Sequence, residues 1–247
     1  MTGSRPAAAQ DSLEELVRRA AQGDVEAYAR LIRLHNEEMT RVTFVIIGDA
    51  AGAASATEAA WLDAWIGLRR KRTPEALGSW LCSLAAAEAT SLARRRDARG
   101  ATTPELDDRP ADLPADDALV HALARLDPED RALLALRHVG GLSMADVSAA
   151  VRRSRPPVDV RLARLTQDIG GLETPASDPA ELDRLLGHRL RTYASAPVRH
   201  VSADATARKA RAEESLERTR VVSVAIATVV GVFVAMHPYI ARLFFGR

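Results

Sequence analysis

Arginines crowd one short stretch of the chain: Arg152, Arg153, Arg155, Arg161 and Arg164, with Ser154 among them. A guanidinium presents a planar fork of donors, which suits bridging two acceptors on guanine or gripping a pair of phosphate oxygens. A second cluster, Arg94, Arg95 and Arg96, offers a backbone grip of the same kind earlier in the chain. This is the chemistry of holding a polyanion, and nothing comparable points to catalysis. The histidines (His35, His121, His138, His188, His200 and His237) are scattered without metal-ligand spacing. No glycine-rich phosphate loop, Ser–His–Asp set or carboxylate pair stands out, so no enzyme, metal or cofactor is expected.

The elements that must carry the first arginine set are legible between Leu126 and Leu165. Asp127-Pro128-Glu129 starts a helix, since Asp can cap, Pro fits the first turn and Glu suits the positive end. Leu133, Leu134, Leu136 and Val139 follow at helical spacing until Gly140-Gly141. Ser143 with Asp146 three residues on is a capping-box-like start for the next helix. After a basic turn, a third helix buries Val158, Leu162 and Leu165 and leaves Arg155, Arg161 and Arg164 pointing away from the core. Two short helices behind a support helix make a helix-turn-helix, whose second helix enters a DNA major groove.

The run from Leu126-Asp127-Pro128-Glu129-Asp130-Arg131 through Gly141-Leu142-Ser143-Met144-Ala145-Asp146-Val147 to Val158-Asp159-Val160-Arg161-Leu162 resembles region 4 of bacterial extracytoplasmic-function sigma factors. Leu16-Val17-Arg18, Gly23-Asp24-Val25-Glu26-Ala27-Tyr28, Trp61-Leu62-Asp63-Ala64-Trp65 and Trp80-Leu81 leading to Arg94-Arg95-Arg96 resemble region 2 of the same family. The resemblance implies binding to core RNA polymerase and to promoter DNA, with the −35 element read by a helix from Ser154 to about Thr166. It also implies a polymerase-gripping face, whose candidates here are Glu58, Trp61, Leu62 and Trp65. The chain departs from the pattern at several points. Pro156-Pro157 replaces a small residue followed by threonine, and Asp159 stands where a basic or polar residue is usual. Ser55 and Glu58 replace an acidic residue and a glutamine, and Asp63 replaces an arginine. Ser83, Ala85, Ala86, Ala87 and Glu88 stand where polar and basic residues would capture flipped bases of the −10 element. The −10 chemistry therefore reads as eroded, which leaves open a degenerate adaptor or decoy without promoter-melting activity.

Lys+Arg (34) and Asp+Glu (33) nearly cancel, so any affinity for DNA must come from local patches. Alanine, leucine and arginine dominate and aromatics are few, which argues for an all-α fold. Cys82 is the lone cysteine, at a helical core position, so no internal disulfide is possible. The expected organisation is a disordered stretch over 1–11, a region 2-like helical bundle over 12–97, an acidic linker over 98–115 and a region 4-like helix-turn-helix over 116–169. In the bundle, one helix is expected to run to about Ile47, with Gly48 and Gly52 interrupting it before a third helix from Ala54 to Arg70, and Thr73-Pro74-Glu75 is expected to cap the fourth. A linker over 170–220 then carries an amphipathic helix with Leu182, Leu185, Leu186, Leu190 and Tyr193 on one face, suited to docking on the sigma-like domains, to lying on a membrane, or to meeting a partner, and ends in a basic juxtamembrane segment with Arg208, Lys209 and Arg211.

Val221 to Ile240 carries no formally charged residue, and twenty helical residues cover the roughly 30 Å hydrocarbon core of a bilayer. Arg218 and Arg220 precede the segment and Arg242 closes it, as interface anchors do. Met1-Thr2-Gly3-Ser4-Arg5 lacks the apolar core of a signal peptide. A single transmembrane helix over 221–241 is expected, with the positive excess placing the N-terminal domains on the cytoplasmic side of the cytoplasmic membrane. A tethered factor of this kind would answer to an anti-sigma or protease regulator.

Overall fold

The computed structural model describes residues 12–68, 76–99, 118–151, 157–170, 178–195 and 201–216, and every regular element among them is a helix. The ten helices are α1 (Leu13–Ala21), α2 (Val25–Ile47), α3 (Ala50–Leu68), α4 (Leu77–Ala98), α5 (Ala118–Arg125), α6 (Pro128–Leu134, continued by a π-helical turn, Ala135–Val139), α7 (Met144–Ala150), α8 (Val158–Gly170), α9 (Pro179–Tyr193) and α10 (203–216).

Local chemistry sets most of the boundaries. Ser12 Oγ accepts from the Glu15 amide at 3.2 Å, and Asp24 Oδ1 accepts from the Glu26 and Ala27 amides at 3.0 and 3.1 Å, so α1 and α2 begin on satisfied caps. Gly48 ends α2 in the left-handed region (φ 88°), its amide returning to the Phe44 carbonyl at 2.8 Å. The next helix starts four residues earlier than the sequence pattern suggests, because Asp49 Oδ1 accepts from the Gly52 amide at 2.6 Å and caps it. Gly52 therefore lies inside α3 instead of interrupting the path. Residues 73–75 are outside the described set, and Ala76 precedes α4 without a side-chain cap. Asp127 likewise makes no side-chain cap, although Pro128 opens α6 as expected.

The helices pack around two apolar clusters, and α2 runs through both. The first gathers α1, the N-terminal part of α2, α3, the start of α4 and α10. Tyr28 sits edge-on to Trp61 and Trp65 at 5.8 and 4.9 Å between ring centroids, and the Tyr28 hydroxyl donates to the Trp61 carbonyl. The second cluster joins Val42, Phe44, Val45, Ile46 and Ile47 of α2 and Cys82, Ala86 and Ala89 of α4 to apolar residues of α5 through α9. The stretches 12–97 and 116–169 thus share one continuous core. Buried apolar surface is the main stabilising term in folding, so a shared core couples the two halves energetically.

The amphipathic face of α9 is committed to this core. Leu182, Leu186, Leu190 and Tyr193 are buried, Tyr193 stacks at a tilt on Phe44 at 5.1 Å, and Arg191 Nη1 donates to the His138 carbonyl at 3.0 Å. Of the three fates the sequence left open for this helix, docking on the sigma-like halves is the one observed. Leu185 alone of the expected stripe stays exposed. The stretch 170–220 also holds α10, a second helix that the sequence reading took for basic juxtamembrane linker. Ser202 Oγ accepts from the Ala205 amide at 3.4 Å at its start. No helix among the described residues is long and apolar enough to cross a membrane. The segment 221–241, with Arg218, Arg220 and Arg242, lies outside the described residues, as do 1–11 and the linker positions 100–117.

Candidate nucleic-acid interface

Helices α7 and α8 are the described parts of the expected helix-turn-helix; the turn between them, 152–156, and with it the expected start of the reading helix at Ser154, lies outside the described residues. Ser143 Oγ accepts from the Asp146 amide at 3.2 Å and its hydroxyl donates to Asp146 Oδ2 at 2.7 Å, which caps the start of α7. Leu142 and Val147 are buried beneath it. Val158, Leu162, Leu165 and Ile169 seat α8 on the core at helical spacing, carrying that helix past Thr166 to Gly170. The outward face of α8 is left with Asp159, Val160, Ala163, Arg164, Gln167 and Asp168.

The candidate contacts on α8 differ in what they touch. Arg164 is open to solvent at 83% side-chain exposure, with Asp168 one turn on at 3.6 Å. Arg161 instead pairs through Nε with Asp130 of α6, the two side chains being 25% and 16% exposed. It ties α8 to α6 rather than reaching outward. Two carboxylates accompany the one outward arginine on the described part of this face, and carboxylates repel phosphate. A strong electrostatic grip on DNA would have to come from Arg152, Arg153, Ser154 and Arg155, which lie outside the described residues.

On α4, the arginine triplet is divided among three partners. Arg94 forms an ion pair with Glu129 of α6, Arg95 donates to Ser91 Oγ at 2.6 Å, and Arg96 pairs with the buried Asp49. Gly52 makes room for the last of these, since a Cβ there would fall 2.7 Å from Arg96 Nη2. Between α4 and the α6–α7 corner lies a groove of about 420 Å³, lined by Ser83, Ala87, Thr90, Arg94, Glu129 and Val151 among others. Ala85 and Ala86 are buried in the packing of α4 against its neighbours. Ala87 faces outward, with Ser83, Glu88 and Thr90 partly buried beside it.

The candidate polymerase contacts lie on α3. Trp61 is fully buried and its indole N–H donates to Asn36 Oδ1 at 3.0 Å. Trp65 is nearly as buried, and its indole N–H donates to Glu214 Oε2 of α10 at 2.8 Å. Leu62 packs partly buried against the same cluster, and Glu58 accepts from Lys209 of α10 at 2.8 Å. Trp61 is therefore core, whereas Glu58 and Trp65 carry polar contacts to the C-terminal helix. Sequence reasoning missed those partners: Lys209 and Glu214 lie in a charged run with no spacing that singles them out.

No protein-family model matches the chain. Over 185 residues it is 27% identical to the ECF RNA polymerase sigma factor BldN of Streptomyces coelicolor, a match covering 68% of this chain and 69% of that protein. The chain is thus similar, over about two thirds of its length, to an extracytoplasmic-function RNA polymerase sigma factor.

Proposed function

We propose that this protein is a sigma-factor-like transcription initiation protein that binds core RNA polymerase and promoter DNA and has no catalytic activity of its own. What supports this reading is the similarity to a sigma factor across two thirds of the chain, joined to the Ser143-capped α7 and the core-seated α8 in the stretch that resembles region 4. The α3 face around Glu58, Leu62 and Trp65 meets polymerase, and α8 with the basic turn before it meets the duplex. The uncharged segment 221–240, flanked by Arg218, Arg220 and Arg242, tethers the protein to the cytoplasmic membrane in a single pass, its N-terminal halves in the cytoplasm and open to an anti-sigma or protease regulator.

The test is capture of core RNA polymerase by the detergent-solubilised full chain, followed by promoter-directed run-off transcription. Binding with a promoter-specific product is the expected result, and absence of binding refutes the proposal. Recovery of the full chain in the aqueous fraction without detergent refutes the tether. One specific observation favours a second reading, a decoy that binds polymerase without melting promoters: Arg94 and Arg96 are held by Glu129 and Asp49, and Ala87 sits on the outward face of α4. Polymerase capture without any transcript would establish it.

A further inference from the structure

Helix α10 lies across the face assigned above to polymerase. Arg33 Nη1 of α2 meets Asp204 Oδ1 at 3.0 Å, Glu58 of α3 accepts from Lys209 Nζ at 2.8 Å, and the Trp65 indole donates to Glu214 Oε2 at 2.8 Å. These contacts span most of α10 and use both signs of charge, which fixes its register and direction on α2 and α3. Between them, Thr206, Ala207 and Ala210 are buried and Ala203 partly so, a spacing that puts them on one side of the helix. Small residues let the backbone approach closely, and Ala207 and Ala210 join the same cluster as Tyr28, Trp61 and Trp65.

From this arrangement we infer that α10 is an intramolecular latch: docked on α2 and α3, it occupies the polymerase-binding face and holds the factor inactive until it is displaced. The inference rests on the assignment of that face under the proposed function. The docking is suited to reversal. Its buried side is alanine and threonine, which remove little apolar surface from water, and its ion pairs are half exposed, where each is weak. A partner bringing larger apolar side chains to Leu62 and Trp65 would outcompete it. The latch also sits next to the proposed anchor. From residue 216 to the apolar segment at 221, an extended chain reaches no more than about 20 Å. A docked α10 therefore keeps the α2–α3 face within that reach of the proposed anchor.

The experiment compares the full chain in detergent micelles with two variants altered only on the latch. Ala207→Glu places a carboxylate in the buried contact, and the double variant Asp204→Arg, Lys209→Glu reverses the surface pairs without adding a buried charge. Hydrogen exchange across 203–216 reports undocking, and titration with core RNA polymerase reports affinity. If docking masks the face, both variants exchange faster over 203–216 and bind polymerase about tenfold more tightly or better, because the competent fraction of molecules rises. Faster exchange with unchanged affinity overturns the latch while leaving the sigma-like function standing. Failure of wild type and both variants to bind polymerase overturns the latch and that function together.

Discussion

Removing the Arg161 side chain should weaken the fold more than it weakens DNA recognition, and Arg164 should behave in the opposite way. Arg161 and Asp130 are 25% and 16% exposed, between the fully solvated pairs that contribute about 0–1 kcal/mol and the buried pairs whose disruption costs about 3–5 kcal/mol. An intermediate cost of about 1–3 kcal/mol is expected for Arg161→Ala, most of it from leaving the Asp130 carboxylate half-buried without its partner. The double variant Arg161→Ala, Asp130→Ala removes that stranded charge and should be less destabilised than the sum of the single changes. Arg164, at 83% exposure, should change stability by less than about 0.5 kcal/mol when replaced by alanine. The same change should cost about 1–3 kcal/mol of promoter affinity if it reads a base, or lower the salt dependence of binding if it touches a phosphate. Denaturant midpoints and duplex-binding isotherms for wild type, Arg161→Ala, Asp130→Ala, their double variant and Arg164→Ala supply both axes. The reasoning fails if Arg161→Ala unfolds at the wild-type midpoint yet loses as much duplex affinity as Arg164→Ala.

Leu190→Ala empties a fully buried site in the cluster shared by α2, α6 and α9 and should cost about 2–5 kcal/mol; one cooperative transition is expected, and loss of protection confined to α9 would contradict a shared core. Burial holds the His35 and His138 imidazoles below their ordinary value of 6.5, so their contribution to stability is complete above that pH and is lost progressively as the pH falls beneath it. The denaturant midpoint should drop as the pH falls below about 6.5, less steeply in a His138→Asn variant, even though Asp183 lies 3.7 Å from the His138 Nε2 and opposes the shift. Burial pushes the Cys82 thiol up to about 12, so iodoacetamide should leave it unmodified in the native protein and label it on unfolding; rapid native labelling would place it at the surface.

What the sequence disclosed was local. Ser12, Asp24 and Ser143 announce helix starts because a cap is a contact over two or three residues, and Gly48 announces an end because few other residues tolerate its φ. The early start of α3 is equally local, since Asp49 precedes Gly52 by the distance a cap requires, but a glycine two residues into a helix carries the same signal as one that breaks it. The stripes of α8 and α9 showed that each buries a face. They did not show against what, because periodicity carries no address. Arg161 illustrates the limit: its position on α8 suggested solvent, and only the approach of Asp130 on another helix turns it inward. The same holds for Glu58 and Trp65, whose partners lie about 150 residues away, by the spacings of 151 and 149 between paired positions.

The shared core also sets a condition on how the protein can open. Swinging the helix-turn-helix away from the bundle would wet Val42, Phe44 and Ile46 on one side and Leu133, Leu136 and Leu190 on the other. A bared seam of that composition is sticky, so a free, hinge-like excursion ends in self-association unless something closes over it. A partner that needs the halves apart must arrive with its own apolar surface in the same step as the parting. Association should then be slow and templated by the partner, with a rate set by the molecule coming unzipped rather than by diffusion.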